Sequence, residues 1–367
     1  MTPRRHLGRI DLAVVVAPFQ ALGDHLRIAI EDANGRHLAG APRPADVPDE
    51  TAGLIYSHGE LAGRIVLYGP GAATEVARAA ASALGAALSA AASGAVEGAP
   101  GDDPVATRRL EEELANGRRL QRGFVSLVPP EVPGYDIASY YEAAREVGGD
   151  FFDLFRLRRR GRPLSIVIAD VTGKGIAAAL VMAFSRPLLH AAIDHTPGPA
   201  AALERTNRIL VGERRTTLFI TALCARLDVR TGVLRMANAG HEPPLFVPGD
   251  GSPPGLVLGS GPLLGAFGAL DVPEVEAFMS PGDMVLFYTD GVTDARSPTG
   301  ERFDDARLLH AVERGRGGTA HDLVREISES VSRFAEGAEP ADDITIVAVG
   351  RHRLGAQSGP RPRSVAR

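Results

Sequence analysis

The distribution of apolar residues predicts two kinds of element between Tyr135 and about Gly350. Short apolar or alternating runs have the length of strands, and longer stretches repeat apolar residues at helical spacing. Strands come in runs and helices in pairs, which favours an α+β fold over a doubly wound parallel sheet. The predicted strands are 135–141, 151–157, 164–171, 217–227, 233–237, 284–289 and 344–349, and the predicted helices are 176–195, 199–213, 304–314 and 320–335.

The first 99 residues show a different pattern, which predicts a small α/β module. Residues 10–16 are rich in β-formers, residues 26–30 alternate, and Asn34-Gly35 is a strong hairpin signal. Residues 56–68 are typical of two strands around a glycine turn, and an alanine-rich helix over 71–96 follows. The arrangement resembles the late part of a GAF- or PAS-type sensor domain. A dimerisation or docking module without a ligand is the alternative.

Breaks in composition predict four segments. The small module occupies 1–99, and a linker helix occupies 104–128, where a stripe of leucines could pair with its copy in a homodimer or dock on the next domain. The main domain occupies 129–352. Residues 353–367 are polar and rich in Gly, Pro and Arg, which predicts a disordered tail.

Composition and charge exclude several functional classes. The net charge is −5 and no long basic block is evident, so neither nucleic acid nor a membrane surface is a predicted partner. The alanine-rich tract is too weakly apolar to span a membrane. Cys224 is the single cysteine, so no intrachain disulfide can form, and a reducing, cytoplasmic location is predicted. Its apolar surroundings predict a buried structural thiol.

Acidic residues stand at the ends of four predicted strands. Asp150 follows Gly148-Gly149, Asp170 ends one apolar run, Asp290 ends another, and Asp342-Asp343 precede a third. Carboxylates that cluster and remain ionised need a cation. Oxygen ligands without nearby His or Cys favour the hard ions Mg²⁺ and Mn²⁺. We therefore predict that these carboxylates meet in space and hold divalent metal.

Rival motifs have little support. Gly173-Lys174-Gly175 lacks the Ser or Thr that follows the lysine of a P-loop, and no Gly-x-Ser-x-Gly or His-Glu-x-x-His pattern occurs. His241 lies in the turn Asn238–Pro244, where a structural role and a substrate contact both stay open.

Six motifs occur in a recognisable order. They are Glu146-Val147-Gly148-Gly149-Asp150-Phe151-Phe152-Asp153, Ala169-Asp170-Val171-Thr172-Gly173-Lys174-Gly175, Asn238-Ala239-Gly240-His241, Pro281-Gly282-Asp283, Tyr288-Thr289-Asp290-Gly291-Val292-Thr293 and Asp342-Asp343-Ile344-Thr345. Over about residues 106–350 the chain resembles the SpoIIE/RsbU-type branch of the PPM (protein phosphatase 2C-like) serine/threonine phosphatases. The resemblance does not extend to residues 1–100.

The resemblance implies a fold and a metal site. The fold is a β-sandwich of two antiparallel sheets flanked by helices, with two Mn²⁺ or Mg²⁺ ions at one end. Asp343 is less favoured than Asp342 as a ligand, because the wider family often has Asn at that position. The implied ligands are the carboxylates of Asp150, Asp170, Asp290 and Asp342, the carbonyl of Val171 and, as the alternative, the carboxylate of Asp343; the first four are also the implied catalytic residues.

The resemblance also implies an activity. Members of this branch usually dephosphorylate a serine or threonine of a STAS-type anti-sigma-factor antagonist, within a partner-switching circuit that regulates a sigma factor. A hydroxide shared by two metals ~4 Å apart would attack phosphorus in line. A non-catalytic, metal-stabilised regulator that binds a partner and a small phosphoester hydrolase are the alternatives.

The sequence departs from the family pattern at several positions. Thr172 stands where the wider family often has a His that could protonate the leaving group. Arg145 is the one arginine that we consider for the phosphate. Phe303-Asp304 replaces the more usual Phe-Gly, and Glu242 replaces a common Asn; neither change touches an implied ligand.

Overall fold

The computed structural model describes residues 27–40, 51–57, 60–68, 129–144, 147–173, 175–212, 219–338 and 340–353. The predictions of a strand over 10–16, helices over 71–96 and 104–128, and a tail over 353–367 lie wholly or almost wholly outside these residues. The segment boundaries and the homodimer stay predictions. Within the described part of the chain, no helix is both long and apolar enough to cross a membrane.

The N-terminal part forms a four-stranded antiparallel sheet in the order β2-β1-β4-β3. The turn between the first two strands confirms the predicted hairpin: Asp32 Oδ1 accepts hydrogen bonds from the backbone nitrogens of Asn34 and Arg36, both at 2.9 Å, and Gly35 has φ 77°. The strands are β1 (Arg27–Asp32), β2 (His37–Gly40), β3 (Thr51–Ser57) and β4 (Glu60–Tyr68).

The main domain contains two five-stranded antiparallel sheets. The first has the order β11-β10-β13-β14-β5 and the second the order β12-β9-β8-β7-β6. The strands are β5 (Tyr135–Glu142), β6 (Phe151–Arg156), β7 (Leu164–Val171), β8 (Ile220–Leu227), β9 (Val233–Ala239), β10 (Leu245–Val247), β11 (Gly255–Leu256), β12 (Glu274–Phe278), β13 (Met284–Tyr288) and β14 (Ile344–Arg351).

Two pairs of helices cover the outer faces of the sheets. α1 and α2 pack on the sheet that contains β7, and α4 and α5 pack on the sheet that contains β14. The predicted bounds of these four helices agree with the structure to within one residue. The helices are α1 (Ile176–His195), α2 (Pro199–Gly212), the short α3 (Asp290–Thr293), α4 (Asp304–Gly315) and α5 (Ala320–Ala335).

Alternation along the strands builds the layers. Phe152 and Leu154 of β6 point between the sheets, whereas Phe151 packs toward the helices α1 and α2. In the other sheet, Phe287 lies between the sheets and Leu286 faces the helices α4 and α5. Both faces of these strands are therefore buried, which explains their continuous apolar runs. The α+β sandwich predicted from the resemblance is the observed fold.

Candidate functional site

Asp150 is the buried centre of the site. It directly precedes β6 in one sheet, and its side chain is 2% exposed. Its Oδ2 accepts hydrogen bonds from the hydroxyls of Thr289 at 2.6 Å and Thr345 at 2.7 Å, two residues of the other sheet's strand ends. Thr289 Oγ1 also accepts a bond from the Thr345 backbone nitrogen at 3.1 Å. The Asp150 carboxylate, which precedes a strand of one sheet, is thus held by two side chains of the other sheet.

Asp343 shapes the loop that delivers Asp150. Its Oδ1 accepts the backbone N–H of Ala144 at 2.8 Å, and its Oδ2 accepts those of Gly149 at 2.7 Å and Asp150 at 3.3 Å. A Cβ on Gly148 would overlap the Asp343 carboxylate, so this close approach requires glycine. The contacts account for Asp343 as a support of the loop between β5 and β6.

Asp170 faces Asp150 across the β6–β7 pair, because Phe151 is aligned with Ala169. Burial raises the pKa of Asp150 well above its usual range, and the charge of Asp170 raises it further. Burial likewise raises the pKa of Asp170, with the charge of Asp290 as the next cause.

The remaining acids surround this pair. The charges of Asp342 and Asp343 also raise the pKa of Asp170, so all five aspartates interact at one end of the sandwich. Within the described part of the chain, however, no group of three or more His, Cys, Asp or Glu side chains has the arrangement of a metal site. The donor chemistry nevertheless fits a hard divalent cation, because carboxylate oxygens are the ligands that such ions prefer.

Glu242 extends the acidic region. The pKa of this half-buried residue is raised by burial and by the charges of Asp290 and Asp305, while Arg302 opposes the shift. It follows His241 in the turn that carries the chain from β9 in one sheet to β10 in the other. Sequence reasoning treated Glu242 only as a departure from the family pattern.

His241 has a structural environment. It is 6% exposed, and its Nδ1 is 2.8 Å from the Thr221 hydroxyl. Asn238 closes the turn on both sides, accepting the His241 N–H at 2.7 Å and donating to its carbonyl at 2.8 Å. Burial lowers the pKa of His241 to about 4, so the ring is neutral at pH 7. These contacts favour the structural role over the substrate contact.

Two other sequence expectations are resolved by hydrogen bonding and burial. The Thr172 hydroxyl accepts the Phe219 N–H at 2.8 Å and lies 3.1 Å from the Phe219 carbonyl, so it extends the β7–β8 pairing. Cys224 is fully buried in β8, and burial raises the pKa of its thiol to about 12, which confirms a structural thiol. Arg145 lies outside the described residues.

Sequence reasoning missed a second polar cluster behind the site. Asp153 on β6 faces α1, where its Oδ1 accepts a bond from Arg186 at 3.0 Å and its Oδ2 lies 2.7 Å from His190 Nδ1. The His190 ring stacks on Phe155 with the centroids 3.7 Å apart. Burial opposes the charge on Asp153, but His190 and Arg186 outweigh it, so the pKa of Asp153 is lowered. The cluster fixes α1 to the strand that follows Asp150.

The family model described as Stage II sporulation protein E (SpoIIE) matches residues 160–352, which is more than half of the 367 residues. The chain belongs to the SpoIIE family. The SpoIIE-family match includes Asp170, Asp290 and Asp342, and Asp150 lies just before it. The resemblance noted from the motifs is thereby confirmed.

Two curated relatives and one solved structure extend the comparison. Protein IcfG of Synechocystis sp. is 31% identical over 267 residues, which are 65% of this chain and 42% of IcfG. The phosphoserine phosphatase RsbU of Bacillus subtilis is 25% identical over 246 residues, covering 66% of this chain and 71% of RsbU. The SpoIIE-family chain thus spans less than half of IcfG.

The solved structure is the SiaA-PP2C domain of Pseudomonas aeruginosa. It is 20% identical, with a TM-score of 0.59, and the likeness covers 68% of this chain and 99% of that domain. At this identity the likeness shows the fold alone. It confirms that the SpoIIE-family chain has the PP2C-like sandwich.

Proposed function

We propose that the chain is a metal-dependent phosphatase that hydrolyses phosphoserine or phosphothreonine on a partner protein. The observation that carries the proposal is the buried Asp150 carboxylate, held by Thr289 and Thr345 and adjacent to further aspartates from both sheets. Buried negative charges that lie close together destabilise the folded chain unless a cation neutralises them. Their presence therefore favours a cation-dependent role. The similarity to RsbU, a phosphoserine phosphatase, supports the same reaction.

Two divalent ions, Mn²⁺ or Mg²⁺, are part of the proposal. When bound, they would supply Lewis acidity toward phosphoryl oxygens and lower the pKa of a water. The residues that would hold them are Asp150, Asp170, Asp290 and Asp342, with the Val171 carbonyl and, as the alternative to Asp342, Asp343.

The chain's own residues orient and support these ligands. Thr289 and Thr345 fix the Asp150 carboxylate, and Asp343 fixes the backbone that precedes it. Because Asp343 already accepts three backbone N–H groups, we favour Asp342 as the ligand of that pair. The Thr172 hydroxyl is engaged with Phe219, so the leaving seryl oxygen takes its proton from water.

The proposed substrate is a STAS-type anti-sigma-factor antagonist phosphorylated on serine or threonine. The family resemblance supplies this substrate class. The reaction would place the chain in a partner-switching circuit, where removal of one phosphate changes which protein the antagonist binds.

The test is Mn²⁺-dependent release of phosphate from a serine-phosphorylated STAS-domain protein by the full chain. We expect Asp150→Asn and Asp290→Asn to lower turnover at least about 100-fold, because each removes a proposed ligand charge. Glu329→Gln, which neutralises an exposed acid on α5, serves as the matched control.

Three outcomes would contradict the proposal in different ways. Unchanged turnover in both aspartate variants would show that these residues do not form a catalytic metal site. Binding of the phosphoprotein without turnover would leave a regulator rather than an enzyme. Faster release of phosphate from ATP or p-nitrophenyl phosphate than from the phosphoprotein would indicate a small phosphoester hydrolase.

A further inference from the structure

The end of the sandwich opposite to the acidic cluster carries a dense group of arginines. β7 runs from Leu164 at that end to Asp170 at the acidic end, a separation of about 20 Å at the usual rise per residue. The β6–β7 hairpin and the neighbouring strands supply the positive charge. These arginines are Arg156, Arg158, Arg159, Arg160, Arg162, Arg226, Arg230 and Arg235.

A cavity of about 350 Å³ opens among these side chains. Its lining includes Arg160 from the hairpin, Arg226 from β8 and Arg235 from β9. The size is at the lower end of the range of small-molecule sites. Among the described residues that line it there is no aromatic side chain, so the cavity offers charge and hydrogen bonds rather than a stacking surface.

Two of the lining arginines are placed unfavourably with respect to each other. Arg226 and Arg235 are directly opposite in the β8–β9 pair, where like charges destabilise a sheet. Burial lowers the pKa of Arg226, and the nearby charges of Arg159 and Arg235 lower it further. An anion between these guanidinium groups would turn the repulsion into attraction.

The acids of this region do not cancel the charge. Glu276 pairs with Arg235 at 2.9 Å, while Asp228 Oδ1 accepts the backbone nitrogens of Arg230 at 2.9 Å and Thr231 at 3.4 Å. Glu274 and Asp194 are the other acids that act on Arg226. Among the described residues that line the cavity, three arginines therefore stand against one acid, Asp228.

Arg226 is also incompletely satisfied. Its Nη2 donates to the carbonyls of Ile193 at 2.9 Å and Thr196 at 3.1 Å, at the end of α1. Carbonyls satisfy donors but supply no negative charge. Its Nη1 donates to the Pro197 carbonyl and its Nε is buried without a hydrogen-bond partner, so this guanidinium contributes its positive charge to the cavity.

We propose that this cavity is a second binding site, distinct from the acidic site, for the phosphate group of a small phosphorylated ligand. Arginine forks match phosphate oxygens in charge and geometry. Three arginines line a space of ligand size without an aromatic platform, so the phosphate is the recognised group.

The test is isothermal titration calorimetry of the full chain with inorganic pyrophosphate at about physiological ionic strength. Chelator and the Asp150→Asn background keep the acidic site from contributing, so the result does not depend on phosphatase activity. We expect saturable binding with one site per chain. Arg160→Gln and Arg235→Gln should each weaken it at least about tenfold.

Arg230→Gln is the matched control, because Arg230 is a highly exposed neighbour that does not line the cavity. Circular dichroism and Tm verify that each variant folds. Absence of saturable binding, or equal weakening by Arg230→Gln, would overturn the proposal. Binding to phosphatidylglycerol vesicles without binding to pyrophosphate would also overturn it and would assign the arginines to a membrane surface.

Discussion

At the scale of single residues, the two threonines that donate to Asp150 lie within the sequence motifs, but the motifs did not single them out. We expect Thr289→Val and Thr345→Val each to lower the free energy of unfolding by about 1–3 kcal/mol, because a buried carboxylate loses a donor. Thr289→Val should cost more, since its oxygen also accepts the Thr345 N–H. Phosphatase turnover should fall in parallel.

Urea unfolding and phosphate release measure the two effects. Thr289→Ser and Thr345→Ser keep the hydroxyl and are the matched controls. If valine and serine behaved alike at both positions, the hydroxyls would not hold Asp150.

The buried His241 predicts a pH dependence of stability. Its pKa falls from 6.5 in the unfolded chain to about 4 in the folded protein. A histidine with a depressed folded pKa contributes its full stability above the unfolded value, and the contribution is lost as pH falls from about 6.5 toward 4. The shift corresponds to about 3 kcal/mol.

Urea unfolding at pH 7 and pH 4.5 measures this difference for the full chain. His241→Gln keeps a polar group near Thr221 but does not titrate, so its stability should vary less between the two pH values. An identical pH dependence in both proteins would refute the assignment to His241.

At the scale of elements, Asp343 acts on a loop nearly two hundred positions away in the sequence. We expect Asp343→Asn to speed hydrogen exchange at the backbone amides of Ala144 and Gly149 by about tenfold or more, because an amide side chain retains only one acceptor oxygen. Exchange followed by NMR measures this directly. Asp342→Asn is the control and should leave both amides protected.

The opposite pattern, with Asp342→Asn releasing the loop, would reverse the two roles. The sequence could indicate that Asp342-Asp343 precede a strand, but the donors that Asp343 accepts come from a distant loop. Only the folded chain brings them together.

The long elements were predictable and the short ones were not. α1 is an apolar stretch of twenty residues, a length typical of a helix rather than a strand, and its predicted bounds coincide with the observed ones. β10 and β11 have three and two residues, and α3 has four, which is too short for any periodicity to register. β12 is an edge strand in which exposed and partly buried residues alternate. Its pairing with β9 holds it in the sheet, and its own composition does not indicate that pairing.

At the scale of the whole molecule, the acidic cluster costs stability that a cation would restore. We expect Asp170→Asn to raise Tm by several degrees in the presence of a chelator, because it removes charge repulsion from a buried group. Added Mn²⁺ should raise Tm of the unaltered chain more than that of the variant. Differential scanning calorimetry gives both values.

Glu329→Gln provides the comparison for loss of one exposed negative charge. A variant less stable than the unaltered chain in chelator would show that Asp170 is needed for folding itself rather than for a cation.

The sandwich followed from the motif resemblance and the grouping of the acids from their places at strand ends, whereas the charge asymmetry followed from neither. The net charge of −5 does not indicate this asymmetry, because the arginines are divided among the hairpin after β6 and two later strands. Register places Arg226 opposite Arg235, and register is set by the folded sheet. The hydrogen bonds that Asp150 accepts from Thr289 and Thr345 likewise form only in the folded chain, so the sequence did not indicate them.

The Asp150 carboxylate and its two threonine donors belong to different halves of the chain, divided by the loop between β11 and β12. Cleavage of that loop would give one fragment with Asp150 and Asp170 and another with Thr289, Asp290 and Thr345. Under the proposed phosphatase function, each fragment alone would be inert toward phosphoesters. The turnover measured after mixing would then be proportional to the amount of re-formed sandwich. The protein could therefore serve as a split reporter of proximity between two fused proteins.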